Sequence, residues 1–550
     1  MIVDFRTLPA DAEIGADICI IGTGPAGLAV AREFFGTSTG VVVLESGGLG
    51  FEPASEWLNA GESAGLHYVG LTHGRRRQFG GTANIWGAVC AELEASDFAY
   101  RPWIAGSGWP ITGADVAPFY RRARELFKIA PTDHDAADWR AFGMESAAFD
   151  AAALRFSVAG TTPIPNLGKA YRNDVRAAGN VTLLLHASVT VLSTNADGEA
   201  MQRVEVRSFE GKRGTVNARI FVLCCGGIEN ARLLLASRDV HRNGLGNGHD
   251  LVGRYLSDHI RSMSARIVPA PGRSLQSLFR SVRHGRVTLR PRLSLPPERQ
   301  ADAGVLNCMA QVHFDYPNDG GFTAAHSLRR AVRFRRMPDD FARDMQNVLR
   351  HPRELARMAI DRYVRGLHPA DGASQLRLET MAEQAPNAES RVTLARRSDR
   401  FGIPLPFVDW RCDDIERRTI AYMTESVSRE FRQLGLGEVQ PEAWLADGGT
   451  TDWRAHLNEG FHHMGTTRMA ASPRAGVVDS DCKAHDIEGL YVAGSSTFPA
   501  AGYANPTLTI VALAIRLADH LKRRLRSPLR SVQCAEVASA SQFPASPAPE

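Results

Sequence analysis

No stretch of this sequence stays apolar for long. Its longest candidate run, Ile510 to Ile515, is a short piece of an amphipathic pattern, well under the ~18–20 residues needed to cross a bilayer. Charge of one sign is not in excess either: 64 Lys and Arg face 60 Asp and Glu, a net +4 over 550 residues. That balance gives no electrostatic reason to expect nucleic acid as a partner. Cysteine is sparse and unpatterned. Cys19, Cys90, Cys224, Cys225, Cys308, Cys412, Cys482 and Cys534 show neither disulfide-framework nor metal-ligand spacing, and no Cys-x-x-Cys-His haem motif occurs. Cys19 and Cys224–Cys225 lie in strand-like apolar runs, where Cys behaves as a small hydrophobe. Met1 to Arg6 lacks the basic and apolar regions of a secretory signal. The default expectations are a reducing, cytoplasmic compartment, no metal and no second redox centre.

What is there is globular: 44% hydrophobic and 23% charged residues, in a chain long enough for two or three domains. Near its start, Asp17 to Gly22 reads as a short β run. It enters Gly22-Thr-Gly24-Pro-Ala-Gly27, then a helix-like stretch from Leu28 to Phe35 and a second strand, Val41-Val-Val-Leu-Glu45. This is a βαβ unit with G-x-G-x-x-G and an acid at the end of its second strand. Gly22 permits the turn, Gly24 lets backbone approach a pyrophosphate, and Gly27 lets the helix pack on the sheet. The helix N-terminus offers N–H groups to phosphates, and Glu45 is placed to accept from ribose hydroxyls. The motif alone does not separate FAD from NAD.

A second glycine-rich block, Arg75-Arg-Arg-Gln-Phe-Gly80-Gly81-Thr-Ala-Asn84-Ile-Trp-Gly87, reads on its own as a phosphate-contacting loop or a simple turn. Much later come His462-His-Met-Gly465-Thr466, Gly489-Leu-Tyr-Val-Ala-Gly494-Ser495 and Gly502-Tyr-Ala-Asn505-Pro506-Thr507. In order and spacing these segments resemble the glucose–methanol–choline (GMC) oxidoreductases. Smaller pieces join them: Phe221 to Asn230, Leu251 to His259 and Asn387 to Leu394. The resemblance runs from about residue 15 to residue 522. The pairing of His-x-x-Gly-Thr with Asn-Pro-Thr looks more like bacterial members related to pyranose oxidases and glycoside 3-oxidases.

The resemblance implies an α/β fold: a Rossmann-like FAD-binding domain of GMC type with an inserted α+β substrate-binding domain built on a β-sheet. The nucleotide is then FAD, held by Gly22, Gly24, Gly27, Glu45, Gly80, Gly81, Asn84, Val189, Gly494, Ser495, Asn505, Pro506 and Thr507. It assigns the catalytic base to His462 and the alkoxide donor to Asn505. Imidazole suits proton acceptance near neutrality, and an amide N–H₂ can hold the reacting oxygen. His463 keeps a packing role, because adjacent side chains of an extended segment point to opposite faces. Asn505-Pro506 also reads as a helix start, Asn as N-cap and Pro in the first turn. The helix that follows, Leu508 to Leu525, carries Leu513, Leu517, Leu521 and Leu525 on one face, and its N-terminus favours charge on a reduced flavin. Relatives that bind FAD covalently use a histidine at the position of Ile85, which has no nucleophilic atom. Non-covalent FAD is expected, with His73 upstream and out of register.

The expected division is as follows: residues 1–100, 171–261 and 459–526 form the FAD-binding domain, 101–170 a lid and the start of the substrate region, 262–458 the substrate domain, and 527–550 a disordered Ser/Ala/Pro-rich tail. Within 328–365, 11 arginines face 5 acids, with Phe334, Met337, Phe341, Leu349, Leu355 and Ile360 interleaved. A solvated helical face is the plainer reading; docking on an anionic membrane surface or partner is the other. The expected activity is oxidation of an alcohol, a sugar or glycoside first, with hydride transfer to flavin N5. The acceptor, whether oxygen, a quinone or a protein, is left open. A non-sugar alcohol is the rival substrate, and a flavin-binding subunit without turnover the rival class.

Overall fold

The structure is a computed structural model. It describes residues 1–526 except 130–138, 141–143, 146, 335, 336, 339, 369, 371, 372 and 447–451; the tail expected over 527–550 therefore lies outside the described residues.

The first sheet has eight strands. Ile2–Asp4, Val181–Leu185, Val41–Leu44, Ala12–Ile21 and Arg213–Leu223 lie side by side, all parallel. Arg213–Leu223 changes partner along its length. Its first half pairs antiparallel with Met201–Arg207, which leads to Ser188–Thr194, while Phe221–Leu223 pairs parallel with Leu490–Val492. The C-terminal segment thus returns to the edge of the opening βαβ unit, beside strand ends that carry glycine turns. All four residues of Val41–Leu44 are buried, as expected for a parallel strand covered on both faces.

Covering that sheet are Pro25–Arg32 and Thr507–Arg526, which pack together, the latter also against Gly113–Phe127. Leu513, Leu517 and Leu521 are buried and Leu525 half-buried, so the expected stripe is present. Over its first half, however, this helix is buried nearly all round, from Leu508 to Ile515 with Ile510 excepted.

The second sheet is antiparallel and nine-stranded. Its main path runs Gly437–Pro441, Ile260–Pro269, Gln375–Ala382, Cys308–Asp315, Val287–Ser294, Arg155–Thr161 and Val89–Cys90. The long helix Asp414–Gln433 packs across it. Together the two sheets give an α/β architecture with an α+β insertion. No helix among the described residues is long and apolar enough to cross a membrane.

Candidate active site

The first turn is built by crowding. Gly22 has φ +101°, and a Cβ there would sit 2.7 Å from the Cys224 carbonyl oxygen. A Cβ on Gly27 would strike the Gly22 carbonyl, so the helix lies directly on the turn. The helix starts at Pro25, three residues before the expected Leu28, because proline's fixed φ suits a first turn. At Gly24 a Cβ would meet nothing within 4 Å: bare backbone faces open space. Gly81 of the second glycine block abuts Gly24, since a Cβ on it would lie 2.8 Å from the Gly24 Cα.

That open space is a cavity of about 1880 Å³. Of the expected cofactor ligands, Gly22, Gly24, Glu45, Gly81, Asn84, Val189, Gly494, Ser495, Asn505, Pro506 and Thr507 line it; Gly27 and Gly80 stand behind its wall. Glu45 is buried at its strand end and accepts from the Thr23 N–H at 3.2 Å, the Thr23 hydroxyl and the Gly47 N–H at 3.0 Å. Burial pushes its carboxyl above the ordinary value. Arg75 and Arg77 do not reach for an anion: both pair with Glu229, at 3.2 and 3.0 Å. Bare backbone at Gly24 and Gly494, the start of the helix at Pro25 and a strand-end carboxylate fit a dinucleotide with its pyrophosphate on the helix N-terminus.

His462 and Asn505 meet in the same cavity, with Asn505 Nδ2 3.3 Å from His462 Nε2. The hydrogen-bond chain around them determines where the protons sit. His259 Nε2 lies 2.9 Å from the Gly502 carbonyl, which can only accept, so this nitrogen carries the proton and donates. The Nδ1 of the neutral His259 is therefore an acceptor, and it lies 2.8 Å from His462 Nδ1, which must donate. The lone pair of His462 then resides on Nε2, toward Asn505. Arg292 Nη2, a pure donor, approaches Asn505 Oδ1 at 3.0 Å and so turns the amide's N–H₂ toward His462.

Burial, helped by the neighbouring His259, lowers the His462 pKa to about 3, so the imidazole is neutral. Asp258 anchors the loop: its Oδ1 accepts the backbone N–H of His462, Gly460 and His259 at 2.8, 3.0 and 2.7 Å. Arg101 forms a buried two-bond pair with Glu383, each bond 2.7 Å, and Glu383 accepts the Gly502 N–H at 3.2 Å. This fixes the carbonyl that orients His259. Arg292 itself is buried, which lowers its pKa to about 10.

His463 also lines the cavity, but its ring turns elsewhere. Its Nδ1 lies 2.6 Å from the Tyr68 hydroxyl, which donates to Asp258 at 2.6 Å. The helix-cap reading of Asn505 is corrected. The helix begins at Thr507, the Ile510 N–H returns to the Pro506 carbonyl at 2.8 Å, and the Asn505 side chain is engaged with Arg292 and His462 instead. Ile85 lines the cavity, and so does His73. Among the described residues no group of three His, Cys, Asp or Glu is arranged to hold a metal ion.

Sequence reasoning missed His259, Arg292, Asp258, Arg101 and Glu383 as parts of the site. Asp258-His259 lay within a segment already noted, Leu251 to His259; nothing in sequence marked the others.

A Rossmann-type turn and a large cavity fit a dinucleotide, and a neutral histidine stands beside an amide within that cavity. Residues 386–514 match the family model described as GMC oxidoreductase. Paromamine 6'-oxidase of Streptomyces fradiae is 28% identical over 309 residues, 55% of this chain and 45% of that enzyme. The 6'''-hydroxyparomomycin C oxidase of Streptomyces lividus is 24% identical over an alignment covering 93% of each chain. Formate oxidase of Aspergillus oryzae superposes with a TM-score of 0.53 at 16% identity, over 94% of this chain and 99% of that one. Over residues 386–514 the chain is thus similar to the GMC oxidoreductases.

Proposed function

We propose that this protein binds FAD and oxidises a CH–OH group to a carbonyl, with a sugar or glycoside as the leading substrate class. One observation carries the chemistry: the chain from Gly502 through His259 leaves a lone pair on His462 Nε2, facing the Asn505 amide within the cavity. A hydroxyl placed between them donates its proton to Nε2 and accepts from the Asn505 N–H₂. FAD, when bound, supplies the acceptor for the hydride from the carbinol carbon. The positive charge gained by His462 develops beside the Asp258 carboxylate, while Arg292 keeps the amide turned toward the reacting oxygen. Glu45 and the glycine turns at Gly24 and Gly494 hold the nucleotide.

Residues 1–100, 171–261 and 459–526 form the FAD-binding body in this reading, and 262–458 the substrate side. Strand membership supports it in the main; Val89–Cys90 and Asn458–Glu459 pair with the second sheet, and Glu62–Gly65 pairs with Pro404–Trp410 in a third, three-stranded sheet. FAD is held without a covalent bond, since Ile85 has no nucleophilic atom. His73 is a second side chain to watch, because it lines the same cavity. Sugar and glycoside alcohols are favoured because the similar proteins include a paromamine 6'-oxidase, a fructose dehydrogenase large subunit and C-glycoside 3-oxidases.

The test is a panel of sugars, glycosides and simple alcohols offered to the FAD-loaded protein without oxygen. Bleaching of the flavin by a sugar or glycoside is the expected result. Bleaching only by non-sugar alcohols selects the rival substrate class, and no bleaching by any alcohol contradicts the enzymatic reading. Reoxidation by oxygen, a quinone or a dye then identifies the acceptor class.

A further inference from the structure

The arginine-rich segment folds as Gly321–Phe334, Phe341–Arg350 and Pro352–Tyr363, three helices that pack on one another. Two of them are inverted. In Phe341–Arg350 the buried residues are Asp344 and Asn347, whereas Phe341, Met345 and Leu349 are exposed, Leu349 by 74%. They are spaced i, i+4, i+8 and form one outward stripe. In Pro352–Tyr363 the buried residue is Asp361, and Ile360, Tyr363 and the capping Val364 face outward, the last two by 74% and 78%. Outward apolar stripes of this kind mark an interaction surface. Arg343, Arg350, Arg353 and Arg365 are exposed around it.

A second feature meets this face at the C-terminal end of helix Pro352–Tyr363. Arg283, Arg286, Arg329 and Arg362 converge with His368 on a separate cavity of about 330 Å³, whose lining among the described residues holds no carboxylate. Arg362 Nε is buried with no hydrogen-bond partner among the described residues. Burial and the surrounding arginines push the His368 imidazole down to about 4, a strain that a bound anion relieves.

We infer that this three-helix face docks on an anionic phospholipid bilayer, its outward apolar stripes entering the interface and the four-arginine cavity receiving a headgroup phosphate. Charge complementarity selects the occupant: apolar side chains ringed by arginine suit the interface of an acidic leaflet. The face continues to the large cavity, since Met337, 68% exposed, and Pro338 both line it. Docking therefore sets that opening at the lipid surface. The inference does not depend on the proposed chemistry.

The experiment is flotation of the full-length FAD-loaded protein with vesicles of phosphatidylcholine alone or mixed with phosphatidylglycerol. Expected is binding to the mixed vesicles only, weakened by salt and falling about fivefold for each arginine lost in Arg283→Gln and Arg286→Gln. Leu349→Glu combined with Val364→Glu should abolish it while flavin content and alcohol-driven bleaching stay unchanged. Several results overturn the inference: no flotation at low salt, equal flotation with phosphatidylcholine alone, or binding of inorganic phosphate without vesicle binding. A self-associating protein that Leu349→Glu converts to monomer, with no vesicle binding, makes the face a contact between copies and overturns it too.

Discussion

His259 and His462 face each other through their Nδ1 atoms at 2.8 Å, and with both rings held neutral by burial only one arrangement of protons satisfies them and the Gly502 carbonyl behind them. His259 is thus a positioning residue for the proposed base. Replacing it with Leu removes the acceptor and lets the His462 proton move to Nε2, where it blocks proton uptake. Flavin reduction by a verified alcohol should slow within the ~10²–10⁴-fold span of general-base effects, with substrate affinity little changed. His259→Gln, which can restore an acceptor, should recover part of the loss; equal losses in both variants would speak for a merely structural role.

The buried Arg292 plays the same part for Asn505. Without its donor to Oδ1, the amide is free to rotate and present oxygen to the cavity. Arg292→Gln should slow reduction by up to the ~10²–10³-fold attached to loss of one oxyanion donor. FAD content should hold, and Arg292→Lys should be intermediate. Unchanged reduction kinetics in both would remove the role.

Glu45 is buried with Thr23 and Gly47 as its donors and is raised in pKa by that burial. If it also accepts from ribose, Glu45→Ala loses charged hydrogen bonds worth ~1.5–3 kcal/mol each. FAD should dissociate about 10- to 150-fold more readily, as followed by fluorescence of the released flavin. Unaltered retention would argue against a ribose contact.

The pH dependence has a definite sign. His462 is held near 3 in the fold and titrates near ~6.5 when unfolded. Its contribution to stability is complete above ~6.5 and is lost as pH falls from there toward 3. Hydride transfer, by contrast, should stay level across this window, because the folded imidazole remains unprotonated. Melting temperature and stopped-flow rate measured on the same buffers check both. A rate that fell in parallel with an ordinary histidine titration would contradict the buried, neutral base.

What sequence made legible was local. Gly22, Gly24 and Gly27 are diagnostic because one turn, one approach and one packing contact all lie within a few residues. The same holds for Glu45 at the end of the adjacent strand. The chain His259–His462–Asn505–Arg292 was half hidden because its contacts join residues 203 and 213 positions apart. No periodicity reveals that a strand residue of the second sheet, Arg292, meets Asn505 in the turn before the last helix. Asn505 shows the hazard of reading locally: before a proline it looks like a cap, yet tertiary donors claim its amide. Residues 328–365 left two readings open, a solvated helical face or docking on an anionic surface. Composition does not reveal that the helices turn Asp344, Asn347 and Asp361 inward and Phe341, Met345, Leu349, Ile360 and Tyr363 out.

The central claim is the division between the two adjacent histidines, and anaerobic stopped-flow reduction tests it most directly. Wild type, His462→Ala, His463→Gln and Asn505→Ala are compared with one verified substrate, FAD bound in each. The account predicts losses of ~10²–10⁴-fold for His462→Ala and ~10²–10³-fold for Asn505→Ala, the latter without a shortened helix, since Asn505 is not its cap. His463→Gln should change the rate less than about tenfold, because its Nδ1 is committed to Tyr68 and the buried Asp258. Reduction that survives in His462→Ala and vanishes in His463→Gln would contradict the account.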